Sequence, residues 1–571
     1  MTDLMQPLRD FISESLALWK TPGVSVGVIQ GDQVLLCEGF GLRDQENQLP
    51  VTPNTRFAIG SSSKAFTTFD LGLLVDEGKL DWDKPLRDFL PAFQMHDPVA
   101  GERLTPRDIV SHRVGLPRHD TMWYNAPLTR RQIFDRLRYL EPNKDIRQTF
   151  QYNNLMYLTA GVLIEQLTGL TWEDFTRQRI FAPIGMVHSN FSVTTSQESD
   201  DFALPYHELK NQVERMDFRN VDSVGPAGSI NSCAADMLAW LRVHLNQGQL
   251  GDSQLISTGS LDQMHSPQTV VPGTPKWKEV LPSCYGLGWF VEAYRGCPLV
   301  EHGGNIDGFT ALVAMLPGEK IGVVALANMN GTALPTTIAY RVFDLLLGLD
   351  PIDWNSRFYQ DYLEFKAGQE KSKEKSASDR REGHPPDHTL EEYAGEYRHP
   401  GYGDILISIQ DGTLQACYND LIYRVEPYHY EIFEFSHDPQ DLHLKGTFAT
   451  DEQGNVSRLS LPFEVTVPEI VFERAADARL RDRAFLERLA GVYELMGDPW
   501  SIALQGDDAL SASRPGMPSL ELIPYRGTTF QVKGLTGISL TVLLGEDGPA
   551  EAFELNQPGL AVLTARRKDR N

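Results

Sequence analysis

An internal repeat limits what the last third of the chain can become. LEEYAGEY (Leu390–Tyr397) recurs as LERLAGVY (Leu486–Tyr493), an offset of 96 residues. Later stretches keep step: ISIQDGTLQA (Ile407–Ala416) with IALQGDDALSA (Ile502–Ala512), and VEPYHYEIFEF (Val425–Phe435) with LIPYRGTTFQV (Leu522–Val532). IVFER (Ile470–Arg474) faintly matches VLTAR (Val562–Arg566). Each copy is a series of short alternating segments broken by turn residues such as Asp411-Gly412 and Gly454-Asn455. That pattern predicts two small all-β antiparallel barrels, residues 389–477 and 484–571, since closure removes unpaired strand edges.

Ahead of the repeat lies KAGQEKSKEKSASDRREGHPPDH, residues 366–388, charged and poor in large apolar side chains. It reads as a linker. Residues 1–365 then form a domain of their own, because 571 residues exceed what one core serves. Its periodicities are mixed. A helix (about Asp3–Trp19) leads into GVSVGVIQ, a Gly31-Asp32 turn and VLLCEGFG. FTALVAML and IGVVALAN flank the turn Pro317–Lys320, and a helical stretch follows over Pro335–Leu349. Strands at both ends with helices between predict an α+β domain whose antiparallel sheet joins its two chain ends.

FAIGSSSKAF (Phe57–Phe66) stacks three serines where an apolar run gives way to a helical pattern that stops at Gly78. Serines there can cap the helix. Capping needs one serine, however, and does not need Lys64. Ser61 and Lys64 are three residues apart, so their side chains share a helix face. A serine hydroxyl needs an adjacent base, and a lysine serves if burial and the positive end of a helix dipole depress its pKa. Two further stretches carry candidate chemistry: Tyr152 and Asn154 opening a helical run that stops at Gly169, and His302-Gly303-Gly304 just before the strand hairpin. Each alone has a structural explanation, as a cap with a packed tyrosine and as a Gly-rich turn. Together they form a set.

With these residues the chain resembles the serine hydrolases of the β-lactamase and penicillin-binding-protein fold, in the class C-like branch that includes DD-peptidases, D-aminopeptidases and esterases. The resemblance covers roughly Leu4–Leu349. Ser61–Lys64 matches S-x-x-K, Tyr152–Asn154 matches Y-x-N, and His302–Gly304 matches the H-x-G variant of K-T-G. LTPRDIVSHRVGLP (Leu104–Pro117), GPAGSINSCAADMLAWL (Gly225–Leu241) and YGLGWF (Tyr285–Phe290) are similar too. The resemblance implies Ser61 as nucleophile and Lys64 and Tyr152 as the proton relay. It implies Asn154 with His302, Gly303 and Gly304 as substrate-binding, and the backbone N–H groups of Ser61 and Asn305 as oxyanion hole. It implies no cofactor and no metal. Ser62 and Ser63 remain as helix-start residues.

His302 stands where the family commonly has lysine, and Gly303 where it has a hydroxyl residue that helps to bind a substrate carboxylate. Both departures point away from β-lactams and toward the D-aminopeptidase-type members, which also carry two C-terminal barrels. The expected activity is therefore hydrolysis of small amides or peptides through an acyl-enzyme. The alternatives are a carboxylesterase or β-lactamase-like hydrolase of the same fold, or an assembly or binding protein with little turnover. The barrels are expected to limit substrate size rather than perform chemistry.

Composition bears on partners. A net charge of −25 argues against nucleic acid. No run of about 18 apolar residues predicts a spanning helix. The N-terminal stretch lacks a basic n-region and a small-residue cleavage site, and the five scattered cysteines read as free thiols, which together predict a cytoplasmic protein. The resemblance leaves a homo-oligomer open.

Overall fold

The computed structural model describes residues 4–437, 442–545 and 548–568. The chain divides into two compact units. One holds Met1–Arg380 with Pro400–Tyr402 and Phe463–Pro468; the other holds the remaining residues from Arg381 onward.

The first unit is built on a nine-stranded antiparallel sheet. Its strands in chain order are β1 (Gly23–Gln30), β2 (Gln33–Asp44), β3 (Leu49–Pro50), β4 (Thr269–Val270), β5 (Cys284–Tyr285), β6 (Phe290–Tyr294), β7 (Cys297–Ile306), β8 (Phe309–Leu316) and β9 (Ile321–Ala327). They lie side by side as β4-β5-β6-β7-β8-β9-β1-β2-β3. The expected joining of chain ends is the β1–β9 pair, with Val26 opposite Ala325. The expected hairpin is β8–β9, with Leu316 opposite Ile321.

Alternation along the strands sends one set of side chains to each face. Val24, Val26 and Val28 of β1 join Leu312 and Ala314 of β8 in a core closed by α1 (Gln6–Leu18), α5 (Leu334–Leu346) and the start of α6 (Trp354–Ser378). Leu8, Ile12, Ile338 and Phe343 from these helices are fully buried there, each stabilising the fold by about 1.5–3 kcal/mol. The other face carries α2 (Ser63–Asp76), α3 (Asn154–Thr168) and α4 (Ala234–Leu245). There Phe66 of α2 stacks on Trp240 of α4 with centroids 4.0 Å apart. Every cysteine of the chain is a free thiol.

The segment read as a linker from Lys366 onward differs from expectation. It is helical as far as Ser378, as the continuation of α6. The helix is anchored at its start by Trp354, Phe358, Tyr359 and Tyr362, the last two against Trp19. An anchored helix extends cheaply into the Lys- and Glu-rich run, whose residues are good helix formers.

The second unit contains two closed eight-stranded antiparallel barrels, from Gly395–His399 to Ile470–Arg474 and from Gly491–Leu495 to Leu563–Arg567. In each, the first strand pairs with the last: Tyr397 opposite Arg474, Tyr493 opposite Arg567. That equivalence corrects the faint sequence match by one residue. The structural counterpart of Arg474 is Arg567, not Arg566. Both guanidinium groups reach the backbone just before the first strand: Arg474 bonds the carbonyls of Glu392 and Ala394, and Arg567 those of Arg488 and Ala490. Among the described residues, no helix is long and apolar enough to cross a membrane.

Candidate active site

Ser61 lies in a single 3₁₀ turn, Gly60–Ser62, that runs into α2. Gly60 has φ +51°, and a Cβ there would lie 2.9 Å from the backbone nitrogen of Asn305. Gly304 is tighter still: its Cβ would stand 1.8 Å from the carbonyl oxygen of Ile59. Only glycine at both positions lets β7 press against the turn that carries Ser61. This contact brings the backbone nitrogens of Ser61 and Asn305 to one place.

The neighbouring serines do not cap α2, which has no side-chain cap. Ser62 Oγ donates to the carbonyl of His302 at 2.9 Å, and Ser63 Oγ accepts from the backbone N–H of Ile230 at 3.1 Å. They tie the helix start to β7 and to the segment before α4.

Lys64 is fully buried. Its Nζ reaches Ser61 Oγ at 3.0 Å, Asn154 Oδ1 at 2.8 Å and the carbonyl of Ala227 at 2.7 Å. Burial, helped by the Arg118 charge, pushes its pKa well below the usual lysine range, while Asp120 works in the opposite sense. A neutral amine has two hydrogens and one lone pair. Asn154 and Ala227 accept the two hydrogens, so the lone pair falls to the Ser61 hydroxyl. The arrangement makes Lys64 a base aimed at one proton.

Tyr152 lines the same cavity as Ser61; burial raises the phenol's pKa while the Ser61 hydroxyl acts in the opposite sense, and burial prevails, so the phenol stays neutral. Lys64 Nζ sits 4.7 Å from the Tyr152 ring centroid and the Arg118 guanidinium 5.1 Å from it. His112 packs on the same ring at 4.3 Å and accepts the backbone N–H of Asn153 through Nδ1. Desolvation holds His112 well below the usual histidine range, so it stays neutral beside Lys64.

Asn153 caps α3, accepting from the backbone N–H of Met156. The next residue, Asn154, is thereby turned toward Lys64. Its Oδ1 accepts from Lys64 and its Nδ2 donates to Asp120 Oδ1 at 3.1 Å. Asp120 also takes Arg118 Nε at 2.6 Å and Trp123 Nε1 at 3.0 Å.

His302 is buried in β7. Its Nε2 pairs with the Tyr285 hydroxyl at 3.0 Å and its Nδ1 with the carbonyl of Gly303 at 2.6 Å. Desolvation and the Lys64 charge bring its pKa down to about 3, so it carries no charge near neutral pH. Gly303 points away from the serine turn, its Cβ position meeting nothing closer than the Ala311 carbonyl at 3.7 Å. A cavity of about 560 Å³ is lined by Ser61, Arg118, Tyr152, Gly304 and Asn305 among others. The structure thus brings together every residue of the expected set.

Three partners escaped the sequence reading: Arg118, Asp120 and the Ala227 carbonyl. Arg118 and Asp120 directly follow the Gly-Leu-Pro of a stretch already singled out, and Ala227 lies in another. No spacing rule marks them.

An antiparallel sheet between two helical layers, with a Ser–Lys–Tyr constellation packed against its β7 strand around a buried lysine, defines a serine hydrolase of the β-lactamase and penicillin-binding-protein fold. The chain belongs to the Beta-lactamase family, whose match spans residues 8–347. Residues 379–474 match a domain of unknown function, DUF3471. An Aspergillus campestris protein named Unguisins hydrolase is 30% identical over 430 residues, covering 71% of this chain and 78% of its own. Staphylococcus aureus Protein flp is 24% identical over 59% of this chain and 66% of its own. Among solved structures, the octameric penicillin-binding protein homologue from Pyrococcus abyssi aligns with a TM-score of 0.53 at 21% identity, over 83% of this chain and all of that one (100%). The D-amino acid amidase from Ochrobactrum anthropi SV3 aligns at 0.51 and 22%, over 61% and 98%.

Proposed function

We propose that the protein hydrolyses small amides or peptides, foremost those with an N-terminal D-residue, through an acyl-enzyme on Ser61. The observation that carries this reading is the lone pair of Lys64, directed at Ser61 because Asn154 and Ala227 accept its other hydrogens. Ser61 Oγ attacks the substrate carbonyl carbon and its proton passes to Lys64. The oxyanion forms between the backbone N–H groups of Ser61 and Asn305, each worth about 3 kcal/mol in acyl transfer. Tyr152 delivers a proton to the leaving amine, and water then attacks the acyl-enzyme by the reverse path. The second hydrogen on Asn154 Nδ2 is free to meet the carbonyl of the substrate's acyl side. Uncharged His302 and side-chain-less Gly303 supply no clamp for a C-terminal carboxylate, which favours amides over β-lactams and D-Ala-D-Ala ends. The similarity to Unguisins hydrolase supports hydrolysis; the shared fold with the D-amino acid amidase is compatible with the D-preference.

The test is a panel of matched D- and L-aminoacyl amides and esters, with intact-mass detection of the adduct. Turnover of D-aminoacyl amides and an adduct on Ser61 are expected. Esters cleaved while every amide of the same acyl group is refused would sink the amidase reading.

A further inference from the structure

The two barrels descend from one repeat but are filled differently. Following the strand ladders, Ala416 faces Tyr423 in the first barrel as Ala512 faces Leu520 in the second. Val425 faces Phe435 as Leu522 faces Val532. Two residues beyond each alanine stand Tyr418 and Arg514. At one end of the barrel, then, the first copy buries Tyr418, Tyr423 and Phe435, where the second has Arg514, Leu520 and Val532. Exchanges in the other direction, Ile405 to Trp500 and Gly446 to Leu540, do not refill the space. A cavity of about 320 Å³ remains, walled by Trp500, Leu520, Val532, Leu540, Phe553 and Leu555. That is about twice the size of an apolar cavity that takes up benzene, and inside the ~300–1,000 Å³ range of small-molecule pockets.

The cavity has a floor and a mouth. Leu540 and Phe553 are 2% and 1% exposed, whereas Met496 and Met517 at the rim are 84% and 44% exposed. The Arg514 guanidinium lies at the rim, 5.6 Å from the Trp500 ring, with Asp498 at 3.5 Å. A carboxylate can take that cation from its distant counter-ion by a shorter, bidentate contact. The flexible rim methionines suit a ligand of variable shape.

We propose that the second barrel binds an aliphatic carboxylate of medium chain length, its chain inside the barrel and its head group on Arg514. This site is independent of the chemistry at Ser61.

The probes are sodium decanoate and decanol, titrated into the full-length protein by calorimetry and by shift of the thermal transition. Decanoate should bind saturably, and more tightly than decanol. Arg514→Gln should weaken decanoate about ten-fold and leave decanol unchanged, the worth of a charged hydrogen bond. Val532→Phe and, separately, Leu520→Tyr restore the side chains of the first barrel; each should abolish binding of both probes while the thermal transition stays cooperative. If one variant fails to fold, the other decides. Undiminished binding in a folded filled variant overturns the site, and equal affinity for decanoate and decanol overturns the role of Arg514. Enzyme blocked covalently at Ser61 should still bind decanoate; loss of binding there would place the ligand in the catalytic cleft and refute the proposal.

Discussion

Asp120 Oδ1 accepts from Asn154 Nδ2 at 3.1 Å, and this bond decides which end of that amide faces Lys64. A flipped Asn154 would present an NH₂ group to an amine that must donate. Asp120→Ala should therefore lower kcat/KM by about ten- to a hundred-fold, the effect of a misplaced catalytic group. Steady-state kinetics on the best amide of the panel measures it, and a parental rate would remove Asp120 from any positioning role.

Arg118 and Asp120 bias Lys64 in opposite directions. The base works only when neutral, so activity rises with pH through the pKa of Lys64. Removing the Arg118 charge (Arg118→Gln) raises that pKa and should move the acidic limb of the kcat/KM profile to higher pH. Asp120→Asn should move it to lower pH. Shifts of the same sign in the two variants would show that the limb belongs to another group.

Ser61→Ala should abolish acylation as well as turnover, leaving Ser62 and Ser63 unlabelled by a phosphonate probe, because their hydroxyl groups serve His302 and Ile230. Lys64→Ala and Tyr152→Phe should each reduce kcat by orders of magnitude, and the double variant by far less than their product, since one relay is broken only once. Intact mass and single-turnover rates report both.

Gly304 and Gly303 are adjacent but face different surroundings. A Cβ on Gly304 would stand 1.8 Å from the Ile59 carbonyl oxygen, against 3.7 Å to the nearest atom for Gly303. Gly304→Ala must push β7 off the serine turn, and a cost of about 3 kcal/mol with near-complete loss of activity is expected. Gly303→Ala should fold and turn over close to the parent. Denaturant melts with kinetics on the two variants distinguish them.

Half-buried His265 contacts buried His244 at 3.0 Å, and desolvation brings its pKa down to about 4. In the unfolded chain it titrates near ~6.5, so between those values the unfolded state binds the extra proton and stability falls as pH falls. Relative to pH 7.5, the histidine should cost about 2 kcal/mol at pH 5. Buried Asp70 and half-buried Glu301 have raised pKa values and act in the reverse sense. The measurement is therefore the difference between parent and His265→Gln in urea melts at both pH values. An unchanged difference would mean that His265 is not held neutral.

The Ser61–Lys64 pair, the Tyr152–Asn154 pair and the duplicated barrels were all legible in the sequence, because each rests on local spacing: one helical turn, one helix start, one repeat offset. The β1–β9 and β8–β9 pairings followed from alternation and one turn. What a lysine at position 64 can do was not legible. Its pKa depends on total burial and on the balance between Arg118 and Asp120, and its orientation on a carbonyl contributed by Ala227 more than 150 residues away. The same holds for the serines beside the nucleophile: a cap is a local interaction, yet Ser62 and Ser63 found long-range partners that only packing supplies. It holds again for the two barrels, whose shared pattern of alternation sets the fold of both. The difference between a ring-filled and a hollow interior lies in a few side-chain volumes, summed across strands that are distant in the chain.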